Sequence, residues 1–471
     1  MKHLKYFFLT ICTVAVLSCG EEFLDVNPSD SLPPDVAVQT VDDIRTVLLG
    51  AYSQLQNSDY YGRYFVLVPD VMSDDVKQNS QANRAKDWAE YNGGVNDIHA
   101  IPEEIWTEVY EAINRANVVI NANVEVPAAV QADADQLVGE AYALRALGHF
   151  DLVRIYGQHY GFTSDNSHPG VPIVTEFDPA AEPARNSVAE VYNAVIADLN
   201  TALGLMNQNR GTGFFSPTAA RALLARIYLY QSDWNNAKTM ADNVIANAGG
   251  LTSNEDYVAR WKDRGTGPDV LFEVINTDTD NNGSNALGRM YINEGYGDYL
   301  PSDDVYNLID PEDVRIELFK IDSTIGGGDF GYRRVDKYPD QEGRDNTPVL
   351  RLAETYLIRA EANAMLGNEA AARDDLMAVR SRAWPTAPAV NASGQALLDE
   401  IEREKRIELM FEGHRLWELM RKKKGVIRNN CTVPPDLNGC EINYPDHRFV
   451  LPIPKEELNA NPNMTQNEGY S

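Results

Sequence analysis

Leu352-Ala-Glu-Thr-Tyr-Leu-Ile-Arg-Ala-Glu-Ala-Asn-Ala-Met-Leu366, a Gly367-Asn368 break and then Glu369 to Trp384 form the stretch on which the fold reading turns. Apolar and small side chains recur there at three- and four-residue steps, the period of a helix with one face in a core. Ala360 in the first segment and Ala372, twelve positions on in the second, are small enough to let two antiparallel helices cross closely. An earlier stretch has the same offsets. Thr218 to Gln231 and Asn235 to Ala248 carry Ala225, a Ser232-Asp233 turn and Ala237, and Val244 and Val379 fall on matching positions of the second helix.

A small residue in helix A and another in helix B is the tetratricopeptide pattern, whose unit is about 34 residues. Helical periodicity also marks Ile105 to Val124, Asp135 to Tyr156, Val188 to Met206 and Ala396 to Arg421. Asp135 to Tyr156 and Val188 to Met206 read as a further pair, interrupted by the Gly- and Pro-rich loop Gly157 to Ser187. The expected fold class is mainly all-α, with helix pairs within about 105–248 and 350–421. Long stretches without helical pattern, about 57–100 and 251–348, lie between them, the second with one strand-like run, Val270 to Ile275. Irregular segments of this length are usually functional in a compact protein, so a binding site belongs there. The tail from Phe449 to Ser471, rich in Pro and Asn, is expected to wrap the surface.

The amino-terminal end reads as an export signal. Lys2 and Lys5 precede the apolar run Tyr6 to Leu17, which is too short to span a bilayer. It closes on Val16-Leu17-Ser18-Cys19, the order of a bacterial lipobox, so residues 1–18 are a lipoprotein signal peptide and Cys19 the lipid anchor. Several acyl chains on one residue give lasting attachment. In an oxidising compartment Cys431 and Cys440, which flank a Pro-Pro and Asn-Gly loop, are expected to form a local disulfide. The rival reading, a metal pair, lacks nearby His partners, and no HExxH or finger spacing occurs.

With 41 Lys+Arg against 70 Asp+Glu the formal net charge is −29, which disfavours nucleic acid. The only compact basic run is Arg421 to Lys424. Such a surface repels polyuronates and sulfated glycans at low salt and favours a neutral glucan.

Longer motifs carry a family resemblance. Ala141-Tyr-Ala-Leu-Arg-Ala-Leu-Gly-His-Phe-Asp-Leu-Val-Arg-Ile-Tyr-Gly157 with Gly170-Val-Pro-Ile173, then Leu352 to Asn363, then Ile401-Glu-Arg-Glu-Lys-Arg-Ile-Glu-Leu-Met-Phe-Glu-Gly-His-Arg415, resemble the SusD/RagB family of nutrient-binding outer-membrane lipoproteins. The closing Leu451-Pro-Ile-Pro454, Asn461-Pro-Asn463, Gln466-Asn467 and Gly469-Tyr470 extend the resemblance to the last residues. It implies one SusD-like domain over 19–471, with about four tetratricopeptide pairs on one side and irregular ligand-binding segments on the other. It also implies a surface-exposed, lipid-anchored protein that captures oligosaccharides and delivers them to a SusC-like TonB-dependent transporter. Some branches take peptides instead, and a tetratricopeptide scaffold holding another protein is the third reading. Glu21-Glu22 resembles the surface-export signal of such lipoproteins.

Holding a neutral sugar requires flat rings for its C–H face and polar groups for its hydroxyls. In the first irregular segment Tyr60, Tyr61 and Tyr64 lie beside Arg63, and Arg84, Trp88, Tyr91 and Asn92 follow. In the second, Trp261, Tyr291, Tyr296 and Tyr299 alternate with Asn293, Asp298 and glycines. Trp88 is the first candidate and Tyr296, between two glycines, the second; Trp106 is assigned to the core. A glycosidase would need two carboxylates across the scissile bond, a condition that 70 acidic residues meet by chance, so no catalytic residue, cofactor or metal is assigned. Asp278, Asp280 and Asn282-Gly283 match the first half of a calcium loop, but Arg289 stands where a bidentate Glu is required, and a polar turn is the expectation. Gly326 to Gly328 reads as a bend. Glu402 and Arg406 are spaced for an i,i+4 pair on a solvated or buried-network face.

Overall fold

The computed structural model describes residues 38–471 except 80–81, 93, 293, 322–332, 430, 434–436, 438 and 471. The signal peptide, Cys19, Glu21-Glu22, Asn293, Gly326 to Gly328 and most of the Pro-Pro/Asn-Gly loop lie outside the described residues. Helices make up about half of the described residues. They are α1 (Val41–Leu55), α2 (Tyr64–Val71), α3 (Lys86–Glu90), α4 (Ala100–Ile120), α5 (Gln131–Tyr156), α6 (Val188–Leu205), α7 (Pro217–Tyr230) and α8 (Trp234–Asn247). After them come α9 (Asn254–Lys262), α10 (Asp303–Tyr306), α11 (Leu352–Met365), α12 (Glu369–Ala383), α13 (Gln395–Glu408), α14 (Arg415–Arg421) and α15 (Lys455–Ala460). Short antiparallel pairings join β1 (Val76–Gln78) to β3 (Tyr299–Pro301), β2 (Val270–Val274) to β6 (Thr347–Arg351), β4 (Phe319–Ile321) to β5 (Arg333–Val335) and β7 (Val426–Ile427) to β8 (Glu441–Ile442).

Helix starts follow local chemistry. Thr40 and Asp43 cap α1 reciprocally, Ser187 and Glu190 do the same for α6, and Ser216 caps α7 with Pro217 in its first turn. The helices then pack pairwise, α1 on α4, α5 on α6, α7 on α8 and α11 on α12, with α8 also against α11. Ala225, Ala237, Ala360 and Ala372 are fully buried at the crossings. Gly148 serves the same end in α5, where an added Cβ would lie 2.7 Å from Ile113 of α4. Ala360→Leu should therefore overpack the α11–α12 crossing and lower stability by about 1–3 kcal/mol. An unchanged denaturation midpoint would show that the crossing has slack.

Several expectations change. The first irregular segment contains α2 and α3, and α1 precedes it without having been singled out. Ala396 to Arg421 is two helices, because Phe411 (φ 62°) and Gly413 (φ 74°) turn the chain back, and at Gly413 an added Cβ would lie 3.1 Å from the Val66 backbone. The closing segment does not merely wrap the surface. Phe449, Val450, Leu451 and Ile453 are buried, the Leu451 amide donates to the Ile155 carbonyl at 2.7 Å, and Asn467 Nδ2 donates to the Tyr156 carbonyl at 2.8 Å.

Charges of the 401–415 motif enter a buried network. Arg351 reaches Glu412 through two nitrogens at 2.7 Å and Glu408 at 2.8 Å. Arg315 takes Glu404 at 2.7 Å and Glu408 at 3.1 Å, and Lys337 takes Glu412 at 2.6 Å. The expected Glu402–Arg406 pair does not form: Arg406 turns to Asp75 at 2.5 Å, while Glu402 meets Arg415, Lys422 and Lys424. A longer-range partner in a less solvated setting outcompetes the helix neighbour.

Candidate ligand-binding face

The turn between α1 and α2 sorts its tyrosines by depth. The Asn57 carbonyl accepts from the Tyr60 and Gly62 amides at 2.9 and 3.0 Å, which folds the loop tightly. The Tyr60 and Tyr61 hydroxyls then point inward and donate to Asp151 Oδ2 at 2.7 and 2.9 Å. Tyr64, at the start of α2, stays half-buried with the Arg63 guanidinium 4.0 Å from its ring centre. Arg63 is buried; its Nη1 donates to Asn285 Oδ1 at 3.3 Å, and Asp59 lies 3.8 Å away.

A second strip is set by the β1–β3 pairing, in which Gln78 faces Tyr299. The Tyr299 hydroxyl donates to the Arg84 carbonyl, which fixes the loop that carries Arg84. The Arg84 guanidinium lies 3.2 Å from the centre of the Tyr296 ring, and its Nη1 meets Asp298 Oδ2 at 3.3 Å. Burial raises the Tyr64 hydroxyl's pKa, and the charges of Arg63 and Arg84 both pull it down, so the two strips share one electrostatic surface. On α4, loss of solvation and then the Asp59 carboxylate push Glu104 up to about 7, so near neutrality it can donate to a hydroxyl as well as accept.

Other candidate rings lie elsewhere. Trp88 is fully buried edge-on to His99, Tyr91 is buried with its hydroxyl on the Met72 carbonyl, and Trp261 is buried edge-on to Tyr338. Tyr291 and Tyr299 are also buried. These five cannot offer a ring face to a ligand in this structure. The segments that carry them, with only short helices and strands of their own, use their large rings as core. Asn92 closes a turn, donating to Asp87 and Glu90 and accepting from the Gly94 amide. The face that remains is Arg63, Tyr64, Arg84 and Tyr296, with Asp59, Asn285, Asp298 and Glu104 around them. Tyr64 stood in the sequence beside Arg63, but nothing local distinguishes it from Tyr60 and Tyr61, whose partner Asp151 is remote in sequence.

Cys431 and Cys440 are joined, with Cα atoms 5.6 Å apart. Asp278 pairs with Arg264 and Arg344, as befits a polar turn, and among the described residues no group of three or more His, Cys, Asp or Glu is placed to hold a metal ion. No described helix is long and apolar enough to cross a membrane.

Two family models match the chain, one described as "Starch-binding associating with outer membrane" over residues 22–229 and one as "SusD family" over residues 330–470. The crystal structure of a candidate sugar-binding protein from Bacteroides vulgatus superposes with a TM-score of 0.83 at 31% identity, covering 92% of this chain and 100% of that one. The chain belongs to the SusD family. Among curated SusD-like relatives, protein P38 of Formosa agariphila is 25% identical over 100% of this chain and 99% of its own length. A laminarin-binding SusD-like protein shares the fold, with a TM-score of 0.72 at 24% identity over 92% of this chain and all of its own.

Proposed function

We propose that this SusD-family protein captures glycans on the face built around Tyr64 and Tyr296 and holds them without cleaving them. The observation that carries the reading is the pair of half-buried tyrosines, each with an arginine against its ring, at 4.0 and 3.2 Å. That geometry sets an arginine against each ring, while Asn285 and Glu104 offer hydroxyl partners. The arginines are balanced inside the site, Arg84 by Asp298 and Arg63 by Asp59, so little cationic character is left for an anionic glycan. A neutral glucan fits best. The starch-binding description of the amino-terminal family model and the laminarin-binding relative of the same fold support a glucan ligand. In this reading residues 19–471 act as one unit, moored to the outer membrane through Cys19 and handing ligand to a SusC-like TonB-dependent transporter.

The test is titration calorimetry with maltoheptaose and laminarihexaose. Tyr64→Ala and Tyr296→Ala should each weaken binding by about 0.5–1.5 kcal/mol while the protein stays folded. Parent-like titrations by both variants would move the site elsewhere. Binding of oligopeptides in place of both sugars would replace the glycan reading with a peptide-capturing one.

A further inference from the structure

A cavity of about 320 Å³ opens between α1 and β2, bordering the turn that leads to Tyr64. Its floor is aromatic. Tyr52 is held at both ends, its hydroxyl donating to Glu140 Oε2 and accepting from the Phe215 amide, each at 2.9 Å. Phe214 stands edge-on to Tyr52 with ring centres 5.1 Å apart, and the Arg210 guanidinium lies 4.3 Å from the Phe214 ring centre. Phe272 completes the floor. Leu49 and Ile275, exposed at 45% and 44%, line the same cavity, so apolar surface of a kind that is scarce on this acidic protein is gathered at one place.

Ser53, Gln56 and Asp280 are among the polar residues of the lining. The charged side chains of the lining, Glu273 and Asp280, are both acidic, which disfavours phosphate, sulfate or uronate. The loops that line the cavity are also tied to those of the ligand face. Gln56 Nε2 donates to the Asp280 carbonyl at 3.0 Å and Asn282 Nδ2 to the Gln56 carbonyl at 2.5 Å, which ties together the two loops that further on carry Arg63 and Asn285.

We infer that this cavity is a second sugar-binding site, which holds a pyranose unit of a neutral glycan against Tyr52 and Phe214 with its hydroxyls directed to Ser53, Gln56 and Asp280. The inference rests on the glycan reading above and adds a second contact region on the same loops. Its volume lies in the range of small-ligand sites, about 300–1,000 Å³.

The experiment titrates maltoheptaose and laminarihexaose into the parent, Phe214→Ala, Ile275→Ser and Tyr64→Ala/Tyr296→Ala proteins, and into the last with Phe214→Ala added. Ile275→Ser, at an exposed position, guards against a packing defect in Phe214→Ala. Each cavity variant should weaken binding by at least threefold, and the triple variant should lose the residual binding of the double one. Unchanged titrations for both cavity variants overturn the second site and leave the Tyr64/Tyr296 result standing. If the tyrosine variants bind like the parent while Phe214→Ala weakens binding, the second site holds and the first reading falls. No sugar binding by the parent overturns both.

Discussion

Arg351→Met should lower folding stability by about 3–5 kcal/mol, the largest loss expected of a single substitution in this protein. The Arg351 side chain is almost wholly buried and is bonded to Glu408 and Glu412, with Asp269 at 3.3 Å. Removing the guanidinium takes one cation from a set of buried carboxylates and leaves it short of positive charge: Glu412 is left with Lys337, Glu408 with Arg315 and Arg382, and Asp269 with Arg260. The cost comes from stranding charge rather than from losing a net attraction, since a buried ion pair often only balances its own desolvation. Adding Glu412→Leu to Arg351→Met should therefore recover part of the loss, a non-additivity readable in denaturant midpoints. A loss below about 1 kcal/mol would mean that the network is as forgiving as a surface pair.

Acid should act on the same network. Burial works against the charged form of Glu412, but Arg351 and Lys337 more than offset it and bring its pKa down to about 2. Glu361 is brought to about 2 by Arg421, Lys405 and Lys422 against the same burial, and Glu408 is lowered by Arg382, Arg351 and Arg315. A carboxylate lowered in the folded state contributes stability above its unfolded value near 4.5, and that contribution is lost as pH falls toward 2. Glu361 and Glu412 thus each contribute stability that acid removes. Asp345 runs the other way: burial and then the Asp340 charge push it up to about 7, so it favours the folded state as pH drops from 7 toward 4. Burial also raises Asp70, aided by Asp75. The lowered carboxylates therefore make stability fall steeply below about pH 4. Denaturant titrations at pH 7, 5 and 3 check this, and equal midpoints at pH 5 and 3 would contradict it.

The helix pairs were legible because their signal is local. Three- and four-residue apolar steps and small residues twelve apart can be read without knowing what lies opposite. The Thr40–Asp43 capping box was equally local, and α1 could have been found from it. The binding face was legible only by region. Trp88 and Tyr296 both read as rings on irregular segments, yet one is fully buried and the other half-buried, because burial is decided by elements far along the chain. Tyr60 and Tyr61 are drawn in by Asp151, some 90 residues on. The same reasoning explains Arg406: its i,i+4 partner was visible in the sequence, while Asp75 was not.

The clasp between the closing segment and the end of α5 bears on the order in which the molecule can be finished. Asn467 completes a carbonyl that lies 311 positions earlier, and Leu451 does so for the residue before it. On a ribosome those acceptors must wait, in water or against temporary partners, until translation has all but ended. Docking of the closing segment is therefore among the last contacts that a growing chain can make.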